Sequence, residues 1–402
     1  MCTGFLARPP ESNVSSGSIN GPSVPENKLQ PRHRLPWLLA VVTAIILVVT
    51  ATAYAKLSGN IRRVEVTQED LGKVRPAKPS SSALNILVVG SDQRDGDNAE
   101  QANFAGQRTD IIMLVHLSFT RGDVSVINFP RDSLVQLPGC RSREGLPGQK
   151  RRLGMINSSF SFGGIACTWK TIESLTGIHI DHFIRFDFTG FKGMVDAMGG
   201  VNLCIPEPIR DTYVQLYLPA GLQTLWGEQA LAYVRARHGL GDGSDIGRIV
   251  RQQDFFAAMV KKAMSGQTLF NPVRLYRFLD AATNSITADP DLTPSVLMNV
   301  ALTVRGLSSD KIHFVTTPWR YSSTYPGRVE WLKGPARKLF RLTAADHPLN
   351  RPETKATQPN ATSITRTNTH PTTAVIVPCS PELPSKAPGP VAAAELGYPT
   401  PQ

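Results

Sequence analysis

Signatures of nucleophilic hydrolysis are missing from the chain of 402 residues: it has no GxSxG turn and no Cys-His arrangement, so hydrolases of that type have no support. Cysteine is scarce, with five residues and no CxxC spacing, which argues against a zinc ribbon or a thioredoxin-type redox pair. His179 and His182 stand three apart with no third ligand in a metal pattern, and ordinary surface or core histidines are the simpler account. The stretch GLGDG at 239–243 has no strand before it and fails the GxGxxG register, so it reads as a connector. No heptad and no internal repeat occurs. Charge is also low where nucleic acid would need it. The chain carries +11 overall, yet residues 83–266 hold 19 basic and 18 acidic side chains. A DNA or RNA reader concentrates Lys and Arg on its folded unit, so no nucleic acid is expected as a partner.

What the sequence does contain is one long apolar run. Trp37 to Ala55 has no charged residue, and 19 helical residues span roughly 28 Å, close to one bilayer core. Small-residue sites at Ala51-Thr52-Ala53 and Ala53-Tyr54-Ala55 fit a cleaved signal peptide. An uncleaved anchor is preferred, because the run is long and the leader of about 36 residues is larger than usual. Arg32 and Arg34 before the run nearly balance Lys56, Arg62 and Arg63 after it, so charge does not set the orientation. Residues after 56 are exported in either case. In an oxidising compartment Cys140 with Cys167 is the preferred bridge, stapling the loop Leu137–Leu153 and leaving Cys204 as a small buried residue; the alternative is three buried thiols.

The patterning predicts a mixed α/β fold in residues 83–340. Residues 1–36 are polar and Pro/Ser-rich, 37–56 form the anchor and 57–82 read as a stalk. Apolar runs at Leu84–Val89, Ile111–Leu117 and Val124–Phe129 predict three strands. Thr168–Thr176 predicts a helix closed by Gly177, Phe183–Phe188 a strand, Gly190–Met198 a helix and Val201–Ile205 a strand. Helices are further expected at Gly227–Val234, Ile246–Met264, Pro272–Leu279 and Thr293–Thr303, with Ser244 or Asp245 capping the second, and a strand at Lys311–Thr316. Residues 341–402, rich in Thr, Pro and Ala, are expected to be disordered.

The short turn Thr120–Asp123 predicts a hairpin of the second and third strands; if the first strand also pairs antiparallel with the second, the end of the first, the start of the second and the end of the third share one sheet edge. Asp92, Asp110 and Arg131 then meet, under a loop 93–109 that carries Arg94 and Arg108. Two carboxylates among guanidiniums suggest a hard cation such as Mg²⁺ beside an anion, since Mg²⁺ takes one or two carboxylates with phosphate oxygens and Arg forks match phosphate. A second basic cluster holds Arg235, Arg237, Asp245, Arg248, Arg251 and Gln252. Arg248, Arg251 and Gln252 share a face near a helix start, where free N–H groups favour an anion. The bland account of any one Arg is a solvated residue or the partner of a nearby Asp. Met194, Met198, Met259, Met264, Phe255 and Phe256 read as core, although an amphiphilic substrate needs such a lining too.

These segments resemble one family, the LytR-CpsA-Psr enzymes that attach glycopolymers to the cell wall. The resemblance covers about 83–265, with 266–340 similar to the family's usual C-terminal extension. It rests on NILVVGSDQR, GQRTDIIML, INFPRD, MINSSFSFGG, IDHFIRFDFTGFKGMVDAMGGV, LPAGLQTLWGEQALAYVRARH and GDGSDIGRIVRQQ in family order. It implies an α-β-α sandwich with a mixed central sheet, a single N-terminal transmembrane helix in the cell membrane and a cytoplasmic N-terminus. It also implies a polyprenyl-diphosphate-linked glycan whose lipid lies in an apolar tunnel, and phosphoryl transfer to a peptidoglycan hydroxyl. By motif, Asp92 and Asp110 match ligands of Mg²⁺, with Mn²⁺ as a substitute. Arg108, Arg131, Arg235, Arg237, Arg248 and Gln252 match positions that hold the phosphates or their supporting shell, with Arg94 and Arg251 alongside. Arg131, Arg235, Arg237 and Arg248 are the catalytic candidates; the base is Asp245 or another Asp that is not on the metal. One departure is Met155, two before Asn157, where the family often has a basic residue: either Arg151 or Arg152 replaces it, or diphosphate binding is weaker. Competing readings are a transcriptional attenuator, a silent lipid-binding protein and a polyprenyl-diphosphate pyrophosphatase.

Overall fold

The computed structural model describes residues 34–79, 81–91, 109–143, 145–236, 245–305, 307 and 311–349. Asp92, Arg94, Arg108, Arg237, the 239–243 connector and the two terminal tails lie outside them, as does the side chain of Asp245. Two compact units divide between Ala53 and Tyr54. The described part of the first belongs to α1 (Arg34–Asn60). Its stretch Pro36–Asn60 contains an 18-residue run with a mean hydropathy of 2.4 and is long and apolar enough to cross a membrane.

The second unit begins with the end of α1 and continues through β1 (Arg62–Arg63), α2 (Gln68–Leu71), β2 (Leu84–Ser91), β3 (Thr109–Ser118) and β4 (Asp123–Asn128). Next come β5 (Leu134–Leu137), β6 (Arg152–Met155), α3 (Ser158–Thr176), β7 (His182–Asp187), α4 (Phe188–Ala197), β8 (Val201–Ile205), β9 (Ile209–Asp211), β10 (Leu216–Leu218) and β11 (Gly221–Leu225). The chain then forms α5 (Gly227–Arg235), α6 (Asp245–Ala263), α7 (Gly266–Leu269), α8 (Pro272–Ser285), β12 (Ile286–Ala288) and α9 (Pro294–Arg305). It closes with β13 (Ile312–Thr316), β14 (Trp319–Tyr321), β15 (Val329–Trp331) and α10 (Lys333–Ala344).

Seven strands form one mixed sheet in the order β1-β12-β7-β2-β3-β4-β13. Its central strands β2, β3 and β4 read as near-continuous apolar runs because both of their faces are covered. Successive residues of β2 go to opposite cores: Ile86 joins Phe191, Val195, Leu231 and Phe255 from α4, α5 and α6. Leu87 and Val89 join Ile172 and Trp169 of α3 and Leu339 of α10. That is the α-β-α sandwich. Helix α4 crosses α8 so closely that a β-carbon on Gly190 would lie 2.7 Å from the backbone Cα of Ser285. Gly190→Ala is therefore expected to cost roughly 2–4 kcal/mol, because main chain and not a flexible side chain must give way; urea unfolding of the detergent-solubilised chain measures it.

The structure corrects four expectations. Residues 57–82 are packed and not a free stalk: α1 runs on to Asn60, β1 pairs with β12, and Arg75 makes a forked ion pair with the buried Glu173 at 3.0 and 2.6 Å. The Pro/Ser composition concealed these scattered polar anchors. Helix α3 starts at Ser158, ten residues early, but is broken at Gly163 and Gly164, the latter at φ +60°, so the glycine pair does interrupt it. The folded unit extends past 340, since α10 continues to Ala344 and Asp346 is held beyond it. Cys140 and Cys167 are bonded, with Cα atoms 5.6 Å apart; Cys204, however, is half-buried and also disulfide-bonded, not a lone buried thiol.

Two polar locks fasten the periphery. The His116 ring lies 2.7 Å from Asn85 Oδ1 and 3.1 Å from Asp346 Oδ1, and Arg121 pairs with the same Asp346, fixing the residues after α10 at the β3–β4 turn. Burial pushes the His116 pKa down. At the other lock, Asp289 accepts from the Phe183 N–H at 3.0 Å and the Leu292 N–H at 3.0 Å, and lies 2.8 Å from His182 Nδ1. Burial alone would raise this carboxyl; the hydrogen bonds from His182 and Phe183 outweigh it and hold it below 3.8. A depressed carboxylate contributes stability that is whole above its unfolded value and is lost as pH falls through the folded one. Asp289→Ala should cost about 1–3 kcal/mol at neutral pH, with the gap to the unmodified protein closing in acid; denaturant titrations across pH 3–7 check it.

Candidate functional site

The strand pairing builds the edge that carries the site. β2 and β3 are antiparallel from Leu84↔Leu117 to Ser91↔Thr109, and β3 and β4 from Ser118↔Asp123 to Met113↔Asn128. The end of β2, the start of β3 and the end of β4 therefore lie side by side, and parallel β7 brings Asp187 opposite Ser91. Thr120–Asp123 is the tight turn expected, placed at the far edge.

Asp110, second residue of β3, accepts a hydrogen bond on Oδ1 from Arg131, just beyond β4. Arg248 Nη1 lies 4.0 Å from the same oxygen. Arg248 rises from the first turn of α6 and is 2% exposed, while Arg131 and Asp110 are partly open to solvent. The helix start adds the partial positive charge of its N-terminus to the two guanidiniums. Three expected residues thus converge from three elements, with the most buried guanidinium behind the more open pair.

Other expected residues serve the frame. Gln252 is buried and donates to the Val234 carbonyl at 3.0 Å, and Arg251 donates to the Ala236 carbonyl at 2.6 Å. Together they tie α6 to the end of α5. Arg235 ends α5, is exposed, and stacks over the Phe188 ring at 4.8 Å; Phe188 follows Asp187, so this cation is on the same sheet edge. Ala236 leaves helical geometry at ψ 136°, so α5 stops at Arg235. Of the two substitutes considered for Met155, Arg152 lies over Phe162 at 4.5 Å, and Arg151 is exposed.

Several contributors were not legible in the sequence. Asp132 faces Arg131 at 3.7 Å and Arg328 at 3.4 Å, and Arg328 comes from nearly 200 residues away, where no local pattern announces it. The Asn157 N–H donates to the Arg131 carbonyl at 3.3 Å; its place in the segment MINSSF was the available signal. The Thr109 hydroxyl, one residue before Asp110 in the chain, and the Asn157 side-chain oxygen are buried with no hydrogen-bond partner among the described residues. On α6, burial pushes the Asp254 carboxyl up; on α5, burial together with the charge of Asp254 pushes the Tyr233 phenol up.

The structure is a mixed α/β sandwich whose sheet edge presents a carboxylate clasped by guanidiniums, in a chain that also carries a helix long and apolar enough to cross a membrane. The LytR_cpsA_psr family model matches residues 47–344, and the chain belongs to that family. It is 35% identical over 279 residues to the probable cell wall biosynthesis protein LcpB of Corynebacterium glutamicum, covering 67% of this chain and 61% of that one. It is 27% identical over 229 residues to a polyisoprenyl-teichoic acid–peptidoglycan teichoic acid transferase, TagT of Bacillus subtilis, covering 54% and 65%. The chain thus spans about three fifths of the length of these curated relatives. Among solved structures, a LytR-Csp2A-Psr enzyme from Actinomyces oris superposes with a TM-score of 0.53 at 24% identity, over 71% of this chain and 96% of that one. TagT bound to LI-WTA gives 0.51 at 20% identity, over 71% and 99%. These two likenesses concern the fold alone.

Proposed function

We propose that this chain is a membrane-anchored phosphotransferase that moves a glycopolymer from a polyprenyl-diphosphate carrier to a peptidoglycan hydroxyl during cell-wall assembly. The observation that carries the reading is Asp110 held between Arg131 and Arg248 at the sheet edge, in a family whose relatives include named teichoic acid transferases. Phosphoryl transfer asks a protein mainly for positioning and charge neutralisation, and this edge offers both. In the proposed step the acceptor oxygen attacks the sugar-linked phosphorus. A new phosphorus–oxygen bond forms as the bond to the bridging oxygen breaks, polyprenyl phosphate leaves, and the hydroxyl proton passes to a base.

Arg131 and Arg248 hold the diphosphate oxygens and meet the charge that grows on the leaving phosphate. Arg235, stacked on Phe188, adds a further cation for the diphosphate on the same sheet edge, and Gln252 and Arg251 keep α6 in place under Arg248. No group of three or more His, Cys, Asp or Glu side chains able to hold a metal occurs among the described residues. Mg²⁺ does not need one, because one or two carboxylates with water and phosphate oxygens suffice. Asp110 with Asp92 fits that donor chemistry, and bound Mg²⁺ or Mn²⁺ would neutralise phosphate charge. The apolar helix that precedes the domain keeps it at the cell membrane where the carrier lipid resides, with the N-terminus cytoplasmic.

The test uses the full chain in proteoliposomes with a polyprenyl-diphosphate-linked saccharide and peptidoglycan, with and without Mg²⁺. Covalent glycan on peptidoglycan that vanishes without Mg²⁺ is the expected result. Free sugar phosphate alone would make the chain a hydrolase, and bound lipid with no turnover would make it a lipid-binding protein.

A further inference from the structure

We infer that the corner formed by the end of α6, α7 and the start of α8 is a second, peripheral membrane contact, seating the folded unit on anionic lipid headgroups with Phe270 and Val273 in the interface. The inference rests on the anchor reading above and adds a surface to it.

The folded unit itself shows where the chain enters it from the apolar span. Asn60 Nδ2 donates to Asp280 Oδ1 at 3.0 Å and to Thr283 Oγ1 at 3.1 Å. Lys56 Nζ lies 3.6 Å from Asp280 and 5.8 Å from the Tyr276 ring centroid. Stepping back from Asn60 to Lys56, toward the apolar span, shifts the contact on α8 from Thr283 to Tyr276, toward the N-terminus of that helix. The same direction, continued, leads to Val273 and then to Phe270. Both face solvent, Val273 at 59% and Phe270 at 81% exposure, although a large apolar side chain so exposed at the tip of a helix pair loses by contact with water.

Charge identifies the occupant. From Phe255 to Leu279 the sequence has Lys261, Lys262, Arg274 and Arg277 and no acidic residue, and Lys261 and Arg277 are exposed. Exposed aromatic and aliphatic side chains in a segment whose charged residues are all basic match the interface of an anionic bilayer, where apolar groups sink below headgroups and cations pair with phosphate. A protein partner would receive no complementary acid from this corner, and its place beside the chain's entry from the span puts lipid within reach.

The experiment places benzoylphenylalanine, one site at a time, at Phe270, at Val273, at Leu47 within the apolar helix and at the exposed Tyr325. The full chain is reconstituted in phosphatidylethanolamine vesicles with or without phosphatidylglycerol, and lipid adducts are counted after irradiation. All four side chains are solvent-facing, so none disturbs a core. Adducts at Phe270 and Val273 about tenfold above Tyr325, falling when phosphatidylglycerol is omitted, are expected. Labelling at Leu47 with Phe270 no better than Tyr325 would overturn the docking surface and leave the anchor standing. Absence of labelling at Leu47 would overturn the anchor reading, and the docking with it. Adducts at Phe270 to a second copy of the chain would replace lipid contact by self-association.

Discussion

Asp110→Asn is expected to lower glycan transfer by about 10²–10³-fold with the fold retained. The change keeps the side chain's volume and one carbonyl oxygen, but it removes the negative charge on which Arg131 and Arg248 converge. Two guanidiniums that face a carboxylate are held at a fixed spacing; facing a neutral amide they separate, and diphosphate then meets a site that must be reassembled on binding. If Asp110 also holds Mg²⁺, the loss is greater and extra metal restores part of it. Single-turnover transfer over a range of Mg²⁺ concentrations separates the cases, and an unchanged rate in the variant would remove Asp110 from the mechanism.

Arg248→Ala should cause a loss of similar size, about 10²–10³-fold in kcat, for a different physical reason. Arg248 is almost wholly buried, so its charge acts through little water and keeps most of its strength. Its guanidinium is also planar and presents paired donors, which an ammonium does not reproduce. Arg248→Lys is therefore expected to recover only about a tenth of the lost rate. Near-complete recovery by lysine would show that position 248 contributes charge without geometry. Equilibrium binding of the carrier lipid to both variants tells a loss of grip from a loss of turnover.

The central sheet was legible because its chemistry is local. Leu84–Val89, Ile111–Leu117 and Val124–Phe129 are apolar on both faces, and the turn at Thr120–Asp123 fixed the pairing of two of them, so the edge holding Asp110 and Arg131 followed from short-range patterns. Arg248 followed from its place at a helix start. What local pattern cannot carry is contact across the whole chain. Asp132 meets Arg328 only because β15 returns to the side of the β4–β5 turn. Residues 57–82 look like a spacer because their hold on the domain is scattered: two residues of β1 pair with β12, Leu71 is buried in the α3 core, and Arg63, Arg75 and Lys78 each find a partner about 100 residues or more away. Arg235 was chosen for its charge, whereas its position is set by Phe188, an aromatic that reads as ordinary core. Cys204 shows the same limit, since a bonded and an unbonded cysteine are identical letters.

The lock between Asp346, His116 and Arg121 has a practical corollary for anyone handling the protein. It roots the chain at residue 346 beside the turn joining β3 to β4, the sheet edge opposite the one where Asp110 and Arg131 lie. A fluorophore or surface linkage placed at the exposed Phe119, beside that turn, would sit at the end of the sheet away from Asp110 and Arg131. Attachment at that turn is the orientation of choice for immobilised assays of the folded unit, because it leaves the Asp110 end of the sheet free.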